Sequence, residues 1–182
     1  MIKYIALLRG INVGGKNLIK MDELSRLFSS WGFRNVRTFI QCGNVIFDVE
    51  DSNADKLARR IERKLHQSLG YEVPVLLTTL SDLQKLLKRS PFTKIKPDPD
   101  LMMIVAFLFA APARKPRLPL VSLKDKIEVL AIEKRAVFVL CHRKQTGWFG
   151  FPNNFVEKEL AVTATSRQLT TVNKIIAFAE AM

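Results

Sequence analysis

The sequence predicts an α+β protein in which the series strand, helix, strand, strand, helix, strand occurs twice. Short apolar runs alternate with segments in which apolar residues recur every three or four positions. A connector that carries Pro and Lys, residues 91–99, separates two halves with the same order of elements. We therefore expect one domain at 1–98, which includes a short extra helix, and a second at 99–182, which ends in a C-terminal helix.

The first half is predicted to contain four strands and three helices. Strands are expected at the compact apolar runs 2–8, 36–40, 45–49 and 73–78. Helices are expected at the periodic segments 21–31 and 55–69, and after the capping signal Ser81-x-x-Gln84. Because the pair Gly43-Asn44 suits a tight reversal, the second and third strands are expected to form an antiparallel hairpin.

The second half is predicted to repeat this order. Strands are expected at 101–110, 127–132 and 136–141, and helices at 153–160 and 168–181. A Pro-interrupted segment, 112–122, occupies the position of the first helix, and a short extended piece precedes the last one. Both halves then follow the split β-α-β order of ferredoxin-like domains, with mainly antiparallel sheets.

The charge balance favours anionic partners. Lys and Arg number 29 against 17 Asp and Glu, which gives a net charge of +12. Nucleic acid and phosphorylated or carboxylated small molecules are therefore favoured over cationic ligands. Two cysteines far apart make no disulfide framework, so we expect a cytoplasmic location. The longest apolar run, 101–111, is shorter than the roughly 20 residues of a membrane helix, so no membrane partner is expected.

A glycine-rich loop is the first candidate site. The stretch Gly10-Ile-Asn-Val-Gly-Gly15-Lys16-Asn17 nearly matches the phosphate-binding pattern G-x-x-x-x-G-K-[ST], but Asn17 lacks the hydroxyl that would hold Mg²⁺. Nucleotide hydrolysis is therefore disfavoured. Exposed backbone N–H groups flanked by Arg9 and Lys16 suit a phosphate or carboxylate. A tight chain reversal that requires glycine explains the same residues equally well.

A polar cluster around the expected start of the last helix is the second candidate. It comprises Thr163, Thr165, Ser166, Arg167, Thr170, Thr171 and Asn173. Free N–H groups and the helix dipole favour an anion at such a position. The pattern Thr165-x-x-Gln168 is also an ordinary capping box, and capping alone explains most clusters of this kind.

Two basic segments are candidates for contact with nucleic acid. Arg143, Lys144, Trp148 and Phe149 interleave charge and aromatic rings in a Gly-containing loop, as surfaces that stack unpaired bases do. Loop aromatics more often pack back onto the core. The basic face of the second helix, from Lys56 to Lys64, either follows phosphates or is a solvated outer face, and the latter is favoured.

Metal, cofactor and nucleophile signals are weak. His66 and His142 have no second ligand at a useful spacing, so neither a metal site nor a cofactor is predicted. Cys42 lies in the expected hairpin turn. Because no histidine is near it in sequence, we interpret Cys42 as a small turn residue rather than a nucleophile.

The opening block of residues resembles a known family. It reads Leu8-Arg9-Gly10-Ile11-Asn12-Val13-Gly14-Gly15-Lys16-Asn17, followed by Gly32-Phe33-x-Asn35-Val36 and Gln41-x-Gly43-Asn44-Val45-x-Phe47. The chain resembles the bacterial family called domain of unknown function 1697. The resemblance implies an α+β fold with two ferredoxin-like repeats and no established activity. It also implies that Cys42 stands where the family has Ser, and Gln168-Leu169 where it has Asn-Trp.

The leading hypothesis is a cytosolic protein that binds an anionic ligand between the glycine-rich loop and the start of the last helix. The ligand is nucleic acid or a small phosphorylated or carboxylated molecule. The candidate ligand-binding residues are Arg9, Gly10, Asn12, Gly14, Gly15, Lys16, Asn17, Gln41, Cys42, Gly43, Asn44, Thr165, Arg167 and Thr171.

Two alternatives stay open. The first is an enzyme that acts on a small anionic substrate, with Thr38, Gln41, Cys42 or Asn44 near the chemistry, although no general base is evident. The second is a protein-interaction module, supported by the aromatic loop and by the open edges of ferredoxin-like sheets. The sequence assigns no oligomeric state.

Overall fold

Two antiparallel sheets with flanking helices make up the computed structural model, which describes residues 1–50, 53–114 and 116–182. The chain divides into two units. The first contains residues 1–85 and 175–182, and the second contains residues 86–174. The division falls within two helices, Leu80–Lys88 and Leu169–Glu180. None of the helices in the described part of the chain combines the length and apolar character that crossing a membrane requires.

The first unit contains a four-stranded sheet. Its strands are β1 (Ile2–Leu8), β2 (Arg34–Thr38), β3 (Asn44–Val49) and β4 (Val75–Thr79). They lie in the order β2-β3-β1-β4, and all neighbours are antiparallel. The helices are α1 (Met21–Ser30), α2 (Ala54–Leu69) and α3 (Leu80–Lys88). The hairpin expected between the second and third strands is present as the β2–β3 pair.

The core of the first unit lies between the sheet and the helices. Leu57, Ile61 and Leu65 repeat every four residues along α2 and are buried as one stripe. The rings of Phe28 on α1 and Phe47 on β3 lie 5.6 Å apart, centroid to centroid. The apolar periodicity of the sequence therefore marks the faces that the structure buries.

The cap of α3 differs from the one that the sequence predicts. Thr79, the last residue of β4, accepts a hydrogen bond from Asp82 N at 3.0 Å and donates one to the Asp82 carboxylate at 2.8 Å. The helix begins at Leu80, so the capping box expected from Ser81 to Gln84 is wrong. The hydroxyl of Thr79, two residues before Ser81, already satisfies the free N–H group of Asp82 at the helix start.

The second unit contains a five-stranded sheet. Its strands are β5 (Leu101–Leu108), β6 (Leu120–Ser122), β7 (Ile127–Glu133), β8 (Ala136–His142) and β9 (Ala164–Gln168). The strand order is β6-β7-β8-β5-β9, and all neighbours are antiparallel. A 3-10 helix at Pro91–Lys94 precedes the sheet, α4 (Asn153–Leu160) lies between β8 and β9, and α5 (Leu169–Glu180) follows β9.

The expected second series of strand, helix, strand, strand, helix, strand is wrong at its first helix. Among the described residues between β5 and β7 there is the short strand β6 and no helix. The prolines at 112, 116 and 119 account for this difference, because proline lacks an N–H group and clashes with the preceding helical turn.

A glutamate on a helix satisfies the first N–H group of an edge strand in both units. Val75 N, at the start of β4, donates to the Glu62 carboxylate on α2 at 2.8 Å. Ala164 N, at the start of β9, donates to the Glu157 carboxylate on α4 at 2.8 Å. Both strands lie at the edge of their sheets. Each helix thus stabilises the strand that follows it by the same polar contact.

We expect Glu62→Ala to lower the free energy of unfolding by about 1–3 kcal/mol, because the Val75 N–H group loses its acceptor. Glu62→Gln keeps an oxygen acceptor at the same position and should lower the free energy of unfolding by clearly less. Urea denaturation followed by circular dichroism measures both values. Equal losses for the two variants would contradict a role for this hydrogen bond.

Candidate functional site

The glycine-rich loop of the first unit is a tight reversal. Lys16 N donates to Val13 O at 3.1 Å, and the two residues between them, Gly14 and Gly15, have φ values of +60° and +73°. Two consecutive positive φ angles define a two-residue hairpin turn of type I′, which strongly favours glycine. The turn therefore accounts for the Gly-Gly-Lys sequence that nearly matches a phosphate-binding loop.

Two asparagines close the base of this loop. The Asn12 side chain donates to Ile19 O at 3.0 Å and accepts from Ile19 N at 2.8 Å. The Asn17 side chain donates to Gly10 O at 3.1 Å. Both asparagines have φ near +50°, a conformation that Asn tolerates better than most residues. The side-chain groups that the sequence suggested as ligands thus bond the loop's own backbone.

The turn between β2 and β3 lies directly against the first strand. Leu8 N donates to Gly43 O at 2.8 Å. A Cβ added to Gly43 would lie 3.0 Å from Leu8 Cβ and 3.2 Å from Ile11 Cβ. Asn44 is buried, and its side chain donates to Phe39 O at 3.1 Å. The structure therefore brings the glycine-rich loop and the 41–44 turn together, with Gln41 and Cys42 at the surface.

A basic groove lies along α2 in the first unit. We define the α2 groove by its lining residues, which are Lys56, Arg59, Glu62, Arg63, His66, Gln67, Glu72, Val73 and Pro74. Its volume is about 850 Å³. Arg9 N donates to Pro74 O at 2.9 Å, which places the main chain of Arg9 beside the groove. One candidate residue from the glycine-rich loop therefore lies next to a groove on the basic face of the second helix, from Lys56 to Lys64, which the sequence favoured as a solvated outer face.

The sequence contains a signal for this groove. Its basic residues at 56, 59, 63 and 66 follow the three-and-four spacing of one helical face. The other two basic residues of the helix pack on aromatic rings: the Arg60 guanidinium lies 5.8 Å from the centre of the Phe33 ring, and Lys64 Nζ lies 5.7 Å from that of Trp31. The basic side chains of α2 thus divide between a packing stripe and a groove-lining stripe.

The candidates near the last helix lie in the second unit, whereas the glycine-rich loop lies in the first. Thr165 and Arg167 belong to strand β9, and Thr171 to the first turn of α5. Thr165 is buried, and the Arg167 guanidinium donates to its hydroxyl and to Ser166 O, both at 2.9 Å. Thr165 and Arg167 are therefore engaged along a strand rather than arranged around a helix start.

The 143–149 loop divides its aromatic residues between packing and exposure. The Arg143 guanidinium donates to the Asp100 carboxylate at 2.7 Å, to Pro99 O at 2.7 Å and to Gly147 O at 2.9 Å. It also lies 4.7 Å from the centre of the Phe149 ring. Trp148, by contrast, is 78% exposed. Arg143 and Phe149 thus hold the loop, and Trp148 faces solvent.

The described residues offer no metal-binding cluster and one exposed thiol. Within residues 1–50, 53–114 and 116–182, no group of three or more His, Cys, Asp or Glu side chains is placed to hold a metal ion. Cys42 is exposed, whereas Cys141 on β8 is fully buried. Burial raises the pKa of the Cys141 thiol to about 12. Of the two thiols, Cys42 is the one that solvent-borne reagents can reach.

We expect Gly43→Ala to destabilise the protein more than Gly15→Ala. Both positions have positive φ, so backbone strain should lower the free energy of unfolding of both variants by about 1–2 kcal/mol. At Gly43 the new methyl group also meets Leu8 and Ile11, whereas at Gly15 nothing lies within 4 Å. Thermal and urea denaturation measure the difference. Equal destabilisation would contradict the close approach of the turn to β1.

We expect one fast-reacting thiol per native chain in a titration with a chromogenic disulfide reagent at pH 8. At that pH a thiol with a pKa of about 12 is thiolate in roughly one molecule in ten thousand. Cys141 should react only after denaturation, and Cys42→Ser should remove the fast reaction. Two fast thiols in the native wild-type chain would contradict the burial of Cys141.

Comparisons with known proteins identify the family but no activity. Residues 1–138 match the family model "Protein of unknown function (DUF1697)". The solved structure of conserved bacterial protein SP0830 from Streptococcus pneumoniae is similar over 98% of each chain, with a TM-score of 0.66 and 22% sequence identity, a likeness in fold. A comparison with curated proteins gives no significant match. The resemblance seen in the sequence is thereby confirmed, and the chain belongs to the DUF1697 family.

Proposed function

We propose that the first unit binds a phosphate-bearing anion in the α2 groove, with Arg9 at its edge. The observation that carries this proposal is the convergence of Lys56, Arg59, Arg63 and His66 on one groove of about 850 Å³. That volume lies within the range of small-molecule sites. Groups of basic residues on one concave surface attract and hold anions.

The two arginines provide most of the expected selectivity. Arg59 and Arg63 are one helical turn apart and line the same groove. Each guanidinium presents a planar fork of donors that matches two oxygens of a phosphate or carboxylate group. Such a pair is suited to a ligand with two anionic groups, such as a diphosphate.

The acidic residues of the groove leave its charge positive. Glu62 and Glu72 oppose Lys56, Arg59 and Arg63, but the Glu62 carboxylate already accepts the hydrogen bond of Val75 N. Because the basic side chains are exposed, their attraction for an anion is screened by salt. The affinity of the α2 groove for an anion should therefore fall as ionic strength rises.

We also propose that the two units are divergent ferredoxin-like repeats. The order β2-β3-β1-β4 in the first unit has a counterpart, β7-β8-β5-β9, in the second. The contacts of Glu62 and Glu157 with the first residue of the following edge strand support the same correspondence. In the second unit β6 replaces the first helix.

We expect the double variant Arg59→Ala, Arg63→Ala to bind inorganic pyrophosphate about tenfold more weakly than the wild-type protein at low salt. Exposed ion pairs contribute up to about 1 kcal/mol each, and 1.4 kcal/mol corresponds to tenfold. Isothermal titration calorimetry measures the affinity. Wild-type binding should weaken at about 0.15 M ionic strength.

The matched control is the double variant Arg34→Ala, Arg37→Ala. It removes the same charge from exposed positions of β2 in the same unit, outside the α2 groove. Its affinity should stay close to that of the wild-type protein. Equal losses in the two double variants would show a general charge effect, and no loss in either would remove the α2 groove from the site.

A further inference from the structure

We propose that the second unit has a separate surface for single-stranded nucleic acid. We call it the Trp148 surface and define it by Leu123, Lys124, Lys126, Lys144, Trp148 and Phe151. Trp148, Phe151 and Leu123 are 78%, 65% and 83% exposed. Large apolar side chains that remain this exposed in one region mark interaction surfaces.

The backbone brings the two parts of this surface together. A Cβ added to Gly150 would lie 2.4 Å from Asp125 O and 3.4 Å from the Ile127 side chain. The main chain between the two exposed aromatic residues therefore packs directly on the turn that carries Leu123 and two lysines. A glycine at 150 is required for this approach, because any side chain would collide with the turn.

The loop holds Trp148 in an exposed position. Lys144 N donates to Trp148 O at 2.8 Å, and Gly147 N donates to Lys144 O at 2.8 Å. Arg143 donates to Gly147 O at 2.9 Å and is itself anchored to Asp100. Because the backbone is already ordered, binding through the indole ring costs little further loss of conformational freedom.

The charges around the aromatic rings fit a polyanion. Lys124 and Lys126 adjoin Asp125 in the turn, and Lys144 begins the loop that carries Trp148. The Asp125 carboxylate accepts a hydrogen bond from the Ser122 hydroxyl at 2.8 Å and is thus engaged within the turn itself. The turn 123–126 and the loop 144–151 together contain three lysines and one carboxylate, so the two segments that form the surface carry a net positive charge.

The combination of rings and lysines favours single strands over duplexes. Unpaired bases offer free faces that stack on exposed aromatic side chains, and the lysines can accompany the phosphates. In a duplex the base faces are already stacked on each other. This surface does not depend on the α2 groove, because none of its residues lines that groove.

The test measures binding of the full chain to a labelled oligothymidine of about ten nucleotides by fluorescence anisotropy. We expect Trp148→Ala to weaken binding at least about fivefold, and Trp148→Phe, which keeps an aromatic ring, to weaken it less. Leu18→Ala, at a position 72% exposed in the first unit, is the matched control and should bind like the wild-type chain.

A second readout uses the intrinsic fluorescence of the protein. The chain has two tryptophans, and only Trp148 belongs to this surface. Oligothymidine should quench the wild-type emission and leave that of Trp148→Phe nearly unchanged. Quenching should persist in the Arg59→Ala, Arg63→Ala double variant, so failure of the α2 groove proposal is distinguishable from failure of this one.

Three outcomes would overturn the proposal. The first is equal affinity of Trp148→Ala and wild type for the oligonucleotide. The second is no oligonucleotide binding together with Trp148-dependent binding to anionic vesicles, which would assign the surface to a membrane. The third is no oligonucleotide binding together with Trp148-dependent self-association in sedimentation, which would assign it to a second copy of the chain.

Discussion

The contacts at the end of β1 position the rest of the candidate site in the first unit. Leu8 N donates to Gly43 O on one side, and Arg9 N donates to Pro74 O on the other. The close approach of Gly43 to Leu8 and Ile11 leaves no room for a side chain. Because β1 is held by both neighbours at this point, the Gly-rich hairpin leaves the sheet in one direction and Arg9 lies beside the α2 groove.

One helix, α2, performs three tasks because its residues divide among three faces. Leu57, Ile61 and Leu65 form the buried stripe. Arg60 and Lys64 place their cationic groups over the rings of Phe33 and Trp31, so these two side chains cover apolar surface. The remaining basic residues line the groove together with the start of β4. The same helix thus supports the core, packs on two aromatic rings and lines the proposed anion site.

Much of the secondary structure follows from local sequence, whereas the site depends on contacts between distant segments. The runs 2–8 and 153–160 are a strand and a helix with the predicted bounds, because strand and helix periods are visible within each run. The near match to a phosphate-binding pattern is ambiguous in sequence, since a type I′ turn also requires Gly14 and Gly15. For the basic face of α2 the sequence favoured a solvated surface over phosphate contact, because a basic stripe on a helix does not reveal that Val73 and Pro74 lie beside it.

Amide chemical shifts during a titration with pyrophosphate locate most directly the part of the first unit that meets an anion. The α2 groove predicts that shifts concentrate at residues 56–67 and 72–75 and at Arg9, while Gly14 and Gly15 at the hairpin tip change little. Shifts centred on Gly14 and Gly15, or on residues 165–171 of the second unit, would contradict the α2 groove and favour the site that the sequence alone predicts.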